Sequence, residues 1–188
     1  MSPRRAIFLD RDGVVNVNRS DYVKSWNEFI FLPRTFEALR RIASTDFVII
    51  VTTNQAAIAR GLVTEATVRD IHARMIAQVQ TAGGRIDAVY FCAHHPDQKC
   101  ACRKPQPGMF QFAARDFDLD LTQSIVVGDA WSDISAAQTI GAQAILVLTG
   151  RGQEQHAQML KENRTDFQVA DDLLSAVEWI AQQEKISL

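Results

Sequence analysis

Five short apolar runs constrain this chain more than any other feature. They fall at Ala6–Leu9, 47–51, 88–91, 124–127 and 144–148, with helix-like stretches between them. Val and Ile dominate several of them, and none alternates apolar with polar side chains. A strand with one wet face alternates. A continuous apolar run needs cover on both faces, as a strand inside a parallel sheet has. The intervening stretches have helical periodicity. Val68, Ile71, Met75, Ile76 and Val79 recur at three- and four-residue spacing after Thr64, a good N-cap, and Gly83-Gly84 closes the pattern. Pro33 suits the start of a helix carrying Phe36, Leu39 and Ile42, and Pro107 the start of one carrying Phe110 and Phe117. Leu173, Leu174, Val177 and Ile180 mark a C-terminal helix. Strands alternating with helices predict an α/β fold: a Rossmann-like, doubly wound parallel sheet with helices on both faces.

At 188 residues one domain is expected, spanning 1–188. A domain of this size buries on the order of 70% of its unfolded surface. Two segments break the alternation, 13–31 and the Cys-, His- and Pro-rich 92–107. Neither is long enough for a separate cap domain, so they read as a short flap and a metal-binding loop. Both follow strands, and ligands of open α/β sheets bind beyond the carboxyl ends of the strands. With 20 Lys+Arg against 22 Asp+Glu the net charge is −2, and no basic cluster stands out. That argues against nucleic-acid and anionic-membrane partners. No apolar run approaches the ~18 residues of a membrane span. Arg4-Arg5 precede only a short apolar stretch, Ala6–Leu9, where a secretory leader needs about 7–15 apolar residues. A cytoplasmic protein is therefore expected, in a reducing compartment that suits unpaired thiols.

Acidic residues gather where strands end. Asp10 and Asp12 follow the first run, and Asp129 follows Ile125-Val126-Val127-Gly128, with Asp133 in the first turn of a helix starting near Ala130. An Asp-rich turn closed by Gly13 is common without any function, and Asp133 suits a helix N-terminus regardless. Several carboxylates at buried strand ends are costly unless they meet cations, and no cation neighbours Asp129 in sequence. A hard ion such as Mg²⁺, taking one or two carboxylates, waters and a phosphate, fits them. Thr53, Asn54 and Gln55 end the second run and are candidates to hold phosphate oxygens, although such residues routinely cap helices. Arg103-Lys104 could neutralise a transferring phosphoryl group or be a solvated pair. The three cysteines are bunched. Cys92-Ala93-His94 and Cys100-Ala101-Cys102 form two clips of soft donors that suit a closed, structural Zn²⁺ site, with His95 as a substitute for His94.

Together, Asp10-Arg11-Asp12-Gly13, Thr53-Asn54-Gln55, Arg103-Lys104-Pro105 and Gly128-Asp129 with Asp133 resemble the haloacid dehalogenase-like phosphohydrolases in order and spacing. The clips resemble the zinc loop of that superfamily's capless members, the D-glycero-D-manno-heptose 1,7-bisphosphate 7-phosphatases and the histidinol-phosphate phosphatases. Two stretches look more like the heptose branch: Asn54-Gln55 through Ala59-Arg60-Gly61, and Pro105-Gln106-Pro107-Gly108-Met109. Ala130 departs from both branches, where the resemblance implies Lys in the heptose enzymes and often Arg in the others.

The resemblance implies Asp10 as the nucleophile that forms an aspartyl phosphate, and Asp12 as the acid and then the base. It implies Thr53 and Lys104 on the phosphoryl oxygens. Mg²⁺ would be bound by Asp10, the backbone carbonyl of Asp12 and Asp129, with Asp133 in support. Zn²⁺ would be bound by Cys92, His94, Cys100 and Cys102. Asn18, Tyr22 and Arg103 are expected to line the distal end of a small phosphorylated metabolite, with Asn54 and Gln55 as further substrate contacts. A monomer is expected. Two rival readings are weaker. A non-catalytic zinc-stabilised binding module has no need of so costly an acidic cluster, and a nucleic-acid end phosphatase would want a basic stripe.

Overall fold

The computed structural model describes residues 3–186; residues 1, 2, 187 and 188 of the expected 1–188 span lie outside them. Its centre is a six-stranded, all-parallel sheet. The strands are β1 Ala6–Leu9, β2 Val48–Asn54, β3 Ala88–Cys92, β4 Ile125–Gly128, β5 Gln143–Val147 and β6 Gln168–Ala170. The helices are α1 Thr35–Ile42, α2 Ala56–Ala59, α3 Glu65–Thr81, α4 Gly108–Phe117, α5 Trp131–Thr139, α6 Gly152–Lys161 and α7 Leu173–Glu184.

The two faces of β1 feed two apolar layers. Ile7 and Leu9 join the layer built with Leu39 and Ile42 of α1, Ile71 and Met75 of α3, and Leu174 and Val177 of α7. Ala6 and Phe8 join the layer built with Phe110 of α4, Ile134 of α5 and Met159 of α6. Phe8 and Phe110 meet edge to face, their centroids 4.9 Å apart. Full burial of each such ring contributes about 1.5–3 kcal/mol. Helices thus cover both faces, and this is why the runs lack alternation. The outer strand β3 is covered less, most of its side chains being only half-buried.

Capping follows the sequence closely for α3. Thr64 Oγ1 accepts from Thr67 N at 3.1 Å. The first helix begins at Thr35 rather than Pro33, because Arg34 takes the left-handed conformation (φ 64°) between them. No described helix is long and apolar enough to cross a membrane.

The strand order is β3-β2-β1-β4-β5-β6. The chain therefore winds one way from β1 to β3 and the other way from β4 to β6. The reversal opens a crevice beyond the carboxyl ends of β1 and β4, which is where such sheets bind ligands. Leu9 pairs with Val127 in register, so Asp10 and Asp129 leave the sheet side by side, and Asp10 N donates to Val127 O at 2.9 Å.

Candidate active site

A cleft of about 620 Å³ lies at that crevice. Asp10, Asp12 and Asp133 line its floor, and Thr53, Asn54, Arg103 and Lys104 one wall. The flap brings Asn18, Arg19, Ser20 and Tyr22 to it. The flap is no loose tether: Trp26 stacks on Phe29 at 5.2 Å, and Phe31 bridges from Phe29 to Phe36 of α1 at 5.0 and 4.4 Å.

Asp10, Asp129 and Asp133 each bring a carboxylate oxygen within 4.8 Å of the other two, and all three residues are buried. Chain packing has made room for them. Gly13 has φ +97°, and a Cβ there would run into the Asp129 carboxylate, as would one on Gly150 at φ +58°. Only glycine serves at two such places. Burial first, and then the charges of Asp133 and Asp129, push the Asp10 carboxyl up to about 7, against the pull of Lys104. Burial and Asp133 likewise push Asp129 up, against Arg151. Three buried carboxylates within reach of one another are a donor set of hard oxygens, and a Mg²⁺ ion fits it.

Cations do approach, although sequence neighbours do not supply them. Lys104 Nζ lies 2.7 Å from Asp10 Oδ1 and 2.6 Å from Asp133 Oδ1, and donates to Thr52 O at 2.7 Å. Burial opposes its charge, yet the two carboxylates hold its pKa above the ordinary lysine range. The loop that carries Lys104 is itself fastened. Lys104 N donates to Asn54 Oδ1 at 3.0 Å, and Asn54 Nδ2 donates to Lys104 O at 3.1 Å. From the other side Arg151 reaches Asp129, through its backbone N to Oδ2 at 2.9 Å and its guanidinium to Oδ1 at 3.4 Å.

Asp12 stands apart from this group. Its carboxylate turns to Arg11, which donates to it at 2.8–3.2 Å, and takes further bonds from Asn16 at 2.9 Å and Gln55 at 3.1 Å. Burial works against its charge, but Arg11, Asn16 and Gln55 together hold the Asp12 pKa below the usual carboxylate range. Gln55 Nε2 also donates to Thr53 Oγ1 at 2.9 Å. That bond occupies a lone pair of the hydroxyl and leaves its proton free to point into the cleft.

The amide ends of Asn54 and Gln55 are thus spent on protein groups: Asn54 clamps the Lys104 loop, and the buried Gln55 orients Asp12 and Thr53. Asn18, Tyr22 and Arg103 line the cleft. Sequence reasoning missed Arg19, Ser20, Trp131, Ser132, Arg151 and Gln155, which line it too. Arg151 follows β5 closely, so the strand-end rule that found Asp10 and Asp129 would have found it as well.

The Cys/His cluster assembles as its spacing implies. Cys92 Sγ lies 3.0 Å from Cys102 Sγ and 3.5 Å from Cys100 Sγ. His94 Nδ1 lies 3.4 and 3.2 Å from the Cys92 and Cys102 sulfurs. These separations approach the ~3.8 Å edge of a tetrahedron with Zn–S bonds near 2.3 Å. Burial and the neighbouring sulfurs push the Cys102 thiol up, so thiolates crowded in this way call for a central cation. His95 is elsewhere engaged, its ring capping the short turn at Asp97 N.

Comparisons with known proteins agree with this geometry. The HAD-hydrolase-like family model matches residues 101–176. The D-glycero-β-D-manno-heptose-1,7-bisphosphate 7-phosphatase of Bordetella bronchiseptica is 41% identical over 179 residues, covering 95% of this chain and 99% of the relative. Its namesake in Pseudomonas aeruginosa is 36% identical with the same coverage. The crystal structure of the D,D-heptose 1,7-bisphosphate phosphatase of B. bronchiseptica, complexed with magnesium and phosphate, superposes with a TM-score of 0.88 at 39% identity, covering 95% of this chain and 99% of that one. That of Burkholderia thailandensis gives 0.72 at 32% identity, covering 94% and 98%. With the acidic strand ends, the paired lysine and the Cys/His cluster in place, the chain belongs to the haloacid dehalogenase-like hydrolases, in the family of the D-glycero-β-D-manno-heptose-1,7-bisphosphate 7-phosphatases.

Proposed function

We propose that this chain is a Mg²⁺-dependent phosphatase that removes the 7-phosphate of D-glycero-D-manno-heptose 1,7-bisphosphate through an aspartyl-phosphate intermediate. The observation that carries the reading is the meeting of Asp10 with Lys104 at 2.7 Å at the switch point of the sheet, with Asp12 held two residues away on its own set of donors.

The residues divide the work. Asp10 attacks phosphorus: a carboxylate oxygen forms the new O–P bond as the ester P–O bond breaks. Lys104 orients that carboxylate and faces the phosphoryl oxygens, where charge spreads in a loose transition state. The free proton of the Thr53 hydroxyl serves the same oxygens. Arg11 holds Asp12 ionised in the free site, so Asp12 takes up a proton as the phosphate dianion binds beside it, and gives that proton to the leaving alkoxide. It then takes a proton from the water that attacks phosphorus, which releases inorganic phosphate and restores Asp10. One group performs both transfers because the second step reverses the demand of the first. Mg²⁺ held by Asp10, Asp129 and the Asp12 carbonyl, with Asp133 in support, would offset the charge of phosphate and nucleophile together. Zn²⁺ on Cys92, His94, Cys100 and Cys102 would have all four positions filled and would shape the wall that carries Arg103. We read the 13–31 flap and the 92–107 loop as the two walls of a single domain without a separate cap, acting on a small phosphorylated metabolite as a cytoplasmic monomer.

Turnover with Mg²⁺ tests the substrate. Both anomers of heptose 1,7-bisphosphate, histidinol phosphate and common sugar phosphates should be compared. The heptose bisphosphate should lead in kcat/KM, and a lead for histidinol phosphate would reassign the chain. Arg103 bears on the distal end. Its buried Nη1 has no hydrogen-bond partner among the described residues, a donor that a substrate oxygen would satisfy. Arg103→Ala should raise KM at least tenfold, on the scale of about 1.5–3 kcal/mol for a charged hydrogen bond, and change kcat less. An unchanged KM would remove Arg103 from the substrate contacts.

A further inference from the structure

Arg11 is the largest fully buried side chain of the molecule's described residues, and no catalytic step uses it. A buried guanidinium has five donors to satisfy, and here two surfaces of it are used. Its Nε/Nη2 edge forks onto the Asp12 carboxylate, at 3.2 Å from Nε and 3.0 and 2.8 Å from Nη2. Its Nη1 lies 3.0 Å from Nε2 of His72, on α3. Arginine only donates, so Nε2 is the acceptor and the imidazole proton sits on Nδ1. His72 is itself buried and braced, edge to face, against Phe91 of β3 at 5.5 Å. Burial, and then the charge of Arg11, push its pKa down to about 3, which keeps the ring neutral and able to accept.

We propose that His72 is a positioning residue for proton transfer: through Arg11 it fixes the plane of the Asp12 carboxyl group. The chain of contacts runs from α3 through the guanidinium to the strand-end loop. Asn16 and Gln55 complete it with one bond to each carboxyl oxygen. A carboxyl group that must first donate to an alkoxide and then accept from water needs one orientation relative to the bound phosphate, and small misplacements of such a group are expensive in rate. The fork holds the carboxyl plane, and His72 holds the fork. Without an acceptor at Nη1, the guanidinium would have a buried donor unsatisfied and reason to rotate away from Asp12.

This inference rests on the reading of Asp12 as the proton donor, and leaving-group dependence separates the two. For an alkyl ester such as heptose 1,7-bisphosphate, kcat/KM includes protonation of a poor leaving group; for p-nitrophenyl phosphate the leaving group departs with little help. His72→Leu should lower kcat/KM for the alkyl ester about tenfold, a part of the 10²–10⁴ that a general acid contributes, and change the aryl ester by no more than about twofold. His72→Gln, whose side-chain carbonyl can accept from Nη1, should recover most of the loss. If His72→Leu does not fold, Arg11→Lys serves: it keeps the charge but cannot reach Asp12 and His72 together, and the same selective loss is expected. Equal losses on both esters, or none on either, would overturn the inference. Asp12→Ala measured alongside locates a failure. If it is selective for the alkyl ester while the His72 and Arg11 variants are not, only the positioning role falls. If it is not selective, the acid role of Asp12 falls and takes the positioning role with it.

Discussion

Asp10→Asn should reduce turnover of every phosphate monoester to background while leaving the metal-free protein as stable as before, or more so. The two halves of this expectation have one cause. Asp10 sits in a buried group with Asp129 and Asp133, and burial and those charges push its carboxyl up to about 7. An ionised carboxylate there is kept at an energetic cost that the fold alone does not require. Asparagine has the same shape and keeps a carbonyl oxygen for Lys104 Nζ, which also retains Asp133 at 2.6 Å and Thr52 O at 2.7 Å. The substitution removes one of the charges that repel one another and leaves the Lys104 ammonium with its acceptors. An amide oxygen, however, is a poor nucleophile toward phosphorus. Loss of the nucleophile in other covalent enzymes costs on the order of 10⁶ in kcat, and at least about 10⁴ is expected here. Steady-state turnover of heptose 1,7-bisphosphate and of an aryl phosphate measures the first half, and a thermal melt in the presence of a chelator the second. Rapid quenching should trap an acid-stable, base-labile phosphoprotein with the wild type and none with the variant. Activity within tenfold of wild type would end the covalent mechanism.

How far this site could be read from sequence depends on what each residue faces. The strand-end aspartates were legible because their position is set by the runs before them: a buried strand must end, and the residues just past its end stand at the mouth. The same rule set β1, β2, β4 and β5 within a few residues. β6 was not legible. It has three residues, begins with Gln168 and lies at the sheet edge, so it has neither the length nor the composition of a run. The four-residue α2 was invisible for want of a full helical period.

Side-chain direction was harder still. Arg11 lies between the two aspartates, and an arginine at such a place ordinarily reads as solvated, yet it is 1% exposed and turned inward to His72. Arg103 and Lys104 are adjacent and look like one basic pair, but the structure divides them. Lys104 is buried against a strand end 94 residues earlier in the chain, whereas Arg103 lines the cleft. No cation neighbours Asp129 in sequence, yet in the fold the acidic group meets two. The cations arrive from other strand-end loops, and only the winding of the sheet brings Lys104 and Arg151 to the carboxylates. Asn54 and Gln55 show the same limit. Their types suited phosphate contacts, but β2 ends so that their amides meet the Lys104 backbone and Asp12 instead.

Stripping zinc from the protein, with a chelator or by Cys102→Ser, should raise KM severalfold or more, lower kcat less and leave the sheet folded. Protein purified without added metal should carry about one equivalent of zinc, because four protein donors close the site. The division of effects comes from where the cluster is anchored. Cys92 ends β3, an edge strand, and β2 lies between it and the β1 strand that carries Asp10. Among the described residues, no side-chain hydrogen bond ties a sulfur to the central strands β2, β1 and β4. Lys104 is also insulated, since the paired bonds to Asn54 fix its backbone and three contacts fix its ammonium. Arg103 has no such insurance. It follows Cys102 directly, and its side chain faces the cleft with Nη1 unpartnered among the described residues. Loosening the cluster should therefore disorder the substrate wall before it disturbs the nucleophile. Elemental analysis, a melt followed by far-UV circular dichroism and the separate kinetic constants check the three claims. A protein that holds no zinc, or one whose KM is unchanged when zinc is removed, would deny the loop its role as a wall. A fall in kcat as large as the rise in KM would instead show that the Asn54 clamp does not hold Lys104 on its own.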